Sequence, residues 1–380
     1  MSDPPLPPLE TLQLDPDGLI VWRLLLSAEA TALNDPTPPK YQDNLVGVRL
    51  LGFFLKDFWD HQQQSYGLIP YKHLLVEIRS CFAVPNVTIG SAEEAQARHE
   101  KVYALGIQYC NHLLRVFRSD ERPHTWSGDS SCSSLDKVRD MIVARIAEAP
   151  TTEADVKVQA LARDGYRCMI TGTHDFDACQ DYPELDAQAH KTVPTECAHL
   201  FSESAQAGDK DPTYPASVFA ILTMFGLGGV VTKLLDGRVN SLHDILAMSE
   251  HWRGLFYHFW FWLEKVPNQR NTYNVYGKNE GIFKIQPEPR RRVTFQVDPA
   301  IVAKCQATGI PMPALPSPAL IAIRAACARV AHMSGAAEQF NQIFRDREET
   351  QCMADDGSTA GFLTSLLLQT VTPLVKAPTS

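Results

Sequence analysis

Apolar residues recur at helical spacing along most of this chain, and the helices they predict gather towards its two ends. Between Tyr41 and Gln64, residues Leu45, Val48, Leu51, Phe54, Leu55 and Phe58 fall three and four apart. Ala92–Arg118 repeats the pattern with Tyr103, Ile107, Cys110, Leu114 and Phe117. Such spacing puts each set on one helix face, and the plain reading of both stripes is helix core. Leu135–Ala149 predicts a short helix ended by Pro150, and the Thr152–Asp155 capping pattern opens the next one. Further on, Ser317 can cap a helix with Pro318 in its first turn. Leu320, Ile323, Cys327, Val330, Ser334, Ala337, Asn341 and Phe344 then form a heptad-like seam. That seam suits packing within the chain or a homodimer contact through residues 317–350.

The centre reads differently. Cys168–Thr171 and Glu196–Phe201 are short strand candidates, separated by the polar, acidic loop Gly172–Thr195. Ala216–Phe225 predicts an inserted helix broken at Gly226–Gly229, and Ser249–Glu264 an aromatic helix carrying Trp252, Phe256, Phe259, Trp260 and Leu263. Val293–Val297 returns as a strand. Many helices with a few short strands imply an α+β fold that is mostly helical. The expected regions are a disordered start (1–17, rich in Pro and Asp), a helical part (18–134), a mixed core with a helical insertion (135–300) and a helical end (301–380). The Ser-rich Asp120–Ser134 is the linker candidate.

Composition narrows the class. With 380 residues, 44% of them apolar and 21% charged, the chain suits a soluble globular protein with two or three core-forming units. The start MSDPPLPPLE lacks the basic and apolar regions of a secretory signal, and the apolar tracts are shorter than the roughly 20 residues of a membrane span. Nine cysteines without a CxxC pair suit reduced thiols inside the cell, in cytoplasm or nucleus, and supply no zinc knuckle. A net charge of −9 argues against a generally nucleic-acid-binding surface. The charge is uneven, however. Arg163–Ser202 holds three basic against seven acidic residues, whereas Asn240–Arg292 holds eight against five. The run Arg290–Arg292 reads as a solvated turn or a phosphate contact. No Walker loop, GxGxxG, HExxH or GxSxG motif occurs.

Candidate chemistry sits in three segments: RDGYRCMITG (Arg163–Gly172), ECAHLF (Glu196–Phe201) and NSLHDILAMSEHWRGLFYHFWFWLE (Asn240–Glu264). Together they resemble the fungal branch of the HNH endonucleases, and the likeness extends from about Gln42 to Thr359, including HLLRVFRS (His112–Ser119), NTYNV (Asn271–Val275) and Ser317–Thr350. The resemblance implies a ββα-metal core between helical N- and C-terminal regions. It also implies metal-dependent phosphodiester hydrolysis of nucleic acid, with His199 as general base and a divalent ion (Mg, Mn or Zn) at the phosphate. A lone strand His is usually structural; here its flanking motifs favour the catalytic reading.

Two positions depart from the family pattern. Asp244 stands where an Asn belongs; it can still orient His199 and favour its charged form. Arg253, nine residues on, stands where the last metal-binding His belongs, and a guanidinium has no lone pair for a metal. His251 is about 200° around the helix from Arg253 and cannot replace it. A metal site would then need ligands from elsewhere, such as Glu196, Asp175, Asp177 or His174, or a shifted helix register. Two other readings of Arg253 remain: an ordinary surface residue, or an anion clamp, with His251 nearby, for a small anionic substrate. That makes the alternatives a repurposed acid/base enzyme of fungal secondary metabolism without a cofactor, or a non-catalytic binding protein. Most of the aromatics Trp252, Tyr257, Trp260 and Trp262 are expected to fill core.

Overall fold

Helix α1 (Pro16–Leu33) starts where the Asp15 carboxylate accepts the Gly18 N–H at 2.7 Å, and Pro16 fills a position whose N–H would go unused. The computed structural model describes residues 4–35, 43–64, 66–85, 88–118, 134–146, 153–201, 213–235 and 242–342. From Pro4 the Pro-rich start is ordered, contrary to the disorder its composition suggests. Leu6 is buried, its N–H bonds the Glu29 carboxylate at 3.1 Å, and Trp22 Nε1 donates to the Pro7 carbonyl. Anchored apolar side chains outweigh the Pro bias here. Helix α2 (Asp43–Asp60) buries Val48, Leu51, Phe54, Leu55 and Phe58, as its spacing predicts. After α3 (Ile69–Ser80), α4 (Ala92–Tyr109) is capped by Ser91 and runs into a π-helical turn, Cys110–Leu114. It crosses α2 at Gly47 and Gly106, where a side chain on Gly106 would collide with the Gly47 backbone.

All of the linker candidate Asp120–Ser134 except Ser134, and the cap Thr152, lie outside the described residues. Helices α5 (Leu135–Ile146) and α6 (Glu153–Arg163) lead into the RDGYRC segment. Cys168–Thr171, expected as a strand, is a tight turn closed by Gly172 N–H to Cys168 O. The physical reason is Gly172: its φ of 76° reverses the chain after only three residues. Then come β1 (His174–Asp175), α7 (Phe176–Asp181), α8 (Pro183–Asp186), β2 (Thr192–Val193) and β3 (Thr195–His199). The inserted helix is α9 (Thr213–Leu222); Gly226, at φ 80°, ends a following π turn before α10 (Gly228–Leu235).

Strand β4 (Ile245–Ser249) pairs antiparallel with β3, Thr195 opposite Ser249 and His199 opposite Ile245. Helix α11 (Glu250–Tyr257) follows without a break. The expected aromatic helix Ser249–Glu264 therefore splits. It stops at His258, Phe259 takes φ 59°, and the chain resumes as β5 (Phe261–Lys265). Phe261 and Leu263 are buried while Trp262 and Glu264 are half-buried, a period of two. Strands β6 (Thr272–Gly277) and β7 (Arg292–Thr294) complete a three-stranded antiparallel sheet in the order β5–β6–β7. The chain is thus α+β and mostly helical.

After α12 (Pro299–Thr308), the Ser317 hydroxyl caps α13 (Pro318–Ser334). Leu320, Ile323, Cys327, Val330 and Ser334 are all buried, packed within the chain where α13 meets α2 and β5. Residues 1–336 form one unit; a second begins at Ala337, and Phe344 lies outside the described residues. No described helix is long and apolar enough to cross a membrane.

Candidate functional site

The site is assembled around the β3–β4 hairpin and α11. Met248 and Leu246 of β4 enter one core with Trp252, Phe256 and Tyr257 of α11, while Ile245 and Ala247 face two other cores. A strand buried on both faces is held rigidly, which suits it to position side chains at its ends.

Much of that rigidity comes from the RDGYRC segment. Arg163 is fully buried and donates to the carbonyls of Leu242 (2.8 Å), Ile245 (2.9 Å) and Ala314 (3.0 Å), while its Nε bonds Asp164 at 2.6 Å. Asp164 in turn accepts the Ala247 N–H at 3.4 Å. Burial pushes the Asp164 carboxyl up, against the pull of Arg163. The most conspicuous motif of the sequence is therefore a clamp on β4, not a set of reacting groups.

His199 ends β3 and is buried; its backbone N–H donates to the Tyr257 hydroxyl at 2.9 Å. Asp244, fully buried just before β4, accepts the Leu200 N–H on its carbonyl (2.7 Å) and the Phe201 N–H on its carboxylate (2.9 Å). Its carboxylate thus pins the backbone two residues beyond His199. Arg253 points inward from α11: its guanidinium lies 3.9 Å from the Glu196 carboxylate and 5.4 Å from the centre of the Tyr257 ring. His251 faces solvent beside Glu250, Gly254 and Leu255, around a shallow depression of about 440 Å³. The helical offset expected between His251 and Arg253 is what separates them.

The remaining candidates do not join this corner. Both Asp175 oxygens are engaged, by the N–H groups of Ala178 (2.9 Å) and Thr195 (2.9 Å), so this carboxylate caps α7 and ties it to β3. Burial nevertheless pushes its carboxyl up. Asp177 is exposed in the first turn of α7. His174 is buried on β1, and burial, with Arg167 and His190 nearby, pushes its imidazole down. Among the described residues no three His, Cys, Asp or Glu side chains are placed to hold a metal ion. At this corner the position expected to give the last metal ligand holds Arg253, and Glu196 faces that arginine.

Sequence reading passed over Arg324 of α13. It is buried, donates to the carbonyls of Phe117, Leu200 (3.5 Å) and Phe256 (2.6 Å), and lies 3.7 Å from the Phe256 ring centre. Burial pushes it down to about 9, opposed by Tyr257, Cys327 and Asp244. Arg324 therefore fastens the end of β3 and the end of α11 to the C-terminal helix. Its only signal is a lone charge within the apolar run LIAIRAACA.

No family model, curated protein or solved structure matches this chain.

Proposed function

We propose that β3, β4 and α11 are an HNH-like ββα-metal unit whose metal corner is closed by an internal Glu196–Arg253 ion pair. On this reading the protein is a non-catalytic binding protein, not a metal-dependent phosphodiesterase. The observation that carries the reading is the 3.9 Å approach of these two largely buried groups. A cation at this corner would sit beside a guanidinium and compete with it for Glu196, and both effects oppose binding.

The second reading keeps hydrolysis, with His199 as general base. The order hairpin then helix, with His199 at the end of β3, favours it. Calorimetric titration with Mg²⁺, Mn²⁺ and Zn²⁺, beside a nucleic-acid cleavage assay, separates the two. The expected result is no saturable binding and no cleavage by the wild type, with binding appearing in Arg253→His. Stoichiometric binding and cleavage by the wild type, both lost or cleavage alone lost in His199→Ala, would overturn the proposal in favour of the nuclease.

A further inference from the structure

The sheet β5–β6–β7 carries side chains that its own packing does not account for. One face buries Phe261, Leu263, Tyr273, Val275 and Val293 in the core. The other pairs Trp262 with Tyr276, Glu264 with Asn274, and Asn274 with Arg292. The rings of Trp262 and Tyr276 lie near-parallel, 15° apart, with centres 6.5 Å apart. Trp262 is fixed by an Nε1 bond to Glu264 at 2.8 Å. Trp260 extends the ladder by one step, its carbonyl accepting the Lys278 N–H. Trp260 is 41% exposed and Tyr276 44% exposed. Single exposed aromatics are ordinary, but these two stand beside the half-buried Trp262, whose ring also lies 6.3 Å from that of His332.

Charge decides what the patch suits. Phe261–Thr294 holds seven basic residues (Lys265, Arg270, Lys278, Lys284 and Arg290–Arg292) against three acidic ones, a net +4 in a chain of net −9. Two of the three acids are already engaged: Glu264 accepts from Arg329 at 2.8 Å, and Glu280 pairs with Arg291 at 2.8 Å. Arg292, exposed, bonds Asn274 on the aromatic face at 3.0 Å. Of these basic groups Arg292 is the one bonded on the aromatic face, and flat rings with an exposed guanidinium on the same sheet match a ligand with flat rings on a negative backbone.

We propose that this face binds single-stranded nucleic acid, stacking bases on the exposed rings of Trp260 and Tyr276 with phosphates drawn to Arg292. Base stacking on aromatic side chains accepts any sequence, because every base has a ring face, and the basic groups follow the backbone. Paired bases hide those faces, so a duplex has little to offer this surface. The inference does not depend on how the His199 corner is read, since no residue of that corner takes part.

The test is fluorescence anisotropy of labelled oligo(dT) and oligo(rU) with the full chain at low salt, beside a duplex of the same length. The expected result is binding of single strands well above duplex. Tyr276→Ala and Trp260→Ala should each weaken it by about 5- to 150-fold. Tyr276→Phe, which keeps the ring, should retain it and so separates lost stacking from lost folding. Arg292→Gln should lower the salt dependence by about one charge, and His199→Ala should change nothing. No binding, equal binding of duplex, equal competition by a polyanion without bases, or indifference to both aromatic substitutions would overturn the proposal.

Discussion

Arg253 is the residue on which the reading of the site turns. At this position a histidine would give a lone pair to a cation; the guanidinium gives a positive charge, and β3 answers with Glu196. Removing the acid leaves a largely buried cation with weaker compensation. Glu196→Gln is expected to lower stability by about 1–3 kcal/mol in urea unfolding, the range for a buried charge losing one partner. A null result would mean the pair contributes nothing to holding α11 on β3. His199, Asp244 and Arg253 stand out as candidates in the sequence because each sits within a run of neighbours that resembles a known motif. Arg324 was not, because its partners are backbone carbonyls from three distant segments, which no spacing records.

Elements show where local pattern and tertiary context part. In FWFWLE, apolar residues are dense enough to satisfy both a period of 3.6 and a period of two, so periodicity alone cannot choose. The left-handed turn at Phe259 and pairing with β6 decide for a strand. The α2–α4 crossing was equally hidden, since Gly47 and Gly106 are 59 positions apart and meet only in the fold. Gly106→Ala must push the helices apart, and a loss of about 1–3 kcal/mol is expected in thermal or urea unfolding; unchanged stability would show that α2 and α4 can yield. Arg163→Ala removes three carbonyl contacts and strands Asp164 in the interior. A loss of about 3–5 kcal/mol is expected, along with faster amide exchange in β4 than in α2.

Across the whole molecule, Arg329 of α13 joins the N-terminal helices to the sheet. It bonds both Asp57 oxygens of α2 (2.7 and 2.8 Å) and Glu264 of β5 (2.8 Å). Burial alone raises Asp57, but the bonds from Arg329 and His61 overcome it and hold the carboxyl below its ordinary value. The bond to Asp57 outweighs burial at His61 and raises its imidazole above the ordinary 6.5. The two contributions have opposite pH windows. That of His61 is complete below about pH 6.5 and fades as pH rises through its raised folded value; that of Asp57 is complete above about pH 4 and fades as acid protonates it. Melting curves of the wild type and His61→Gln across pH 5 to 9 should therefore differ most at the acid end and converge at the alkaline end. A gap that is constant with pH would mean His61 acts through packing alone.

From its sequence alone, this chain declares a helical framework, the capped start of α13 and an α+β class, and offers His199, Asp244 and Arg253 as candidates. Those features depend on residues near one another along the chain, where period, caps and motif spacing are direct records of local geometry. The tertiary structure decided what those residues face. It set Glu196 opposite Arg253, turned RDGYRC into a clamp on β4, and spent Asp175 on a helix cap. It also split the aromatic segment between a helix and a strand, and set Trp262 against Tyr276 on the sheet's outer face. Each of these outcomes depends on contacts between segments far apart in the chain, whose free energy exceeds the local preferences that a sequence pattern reveals.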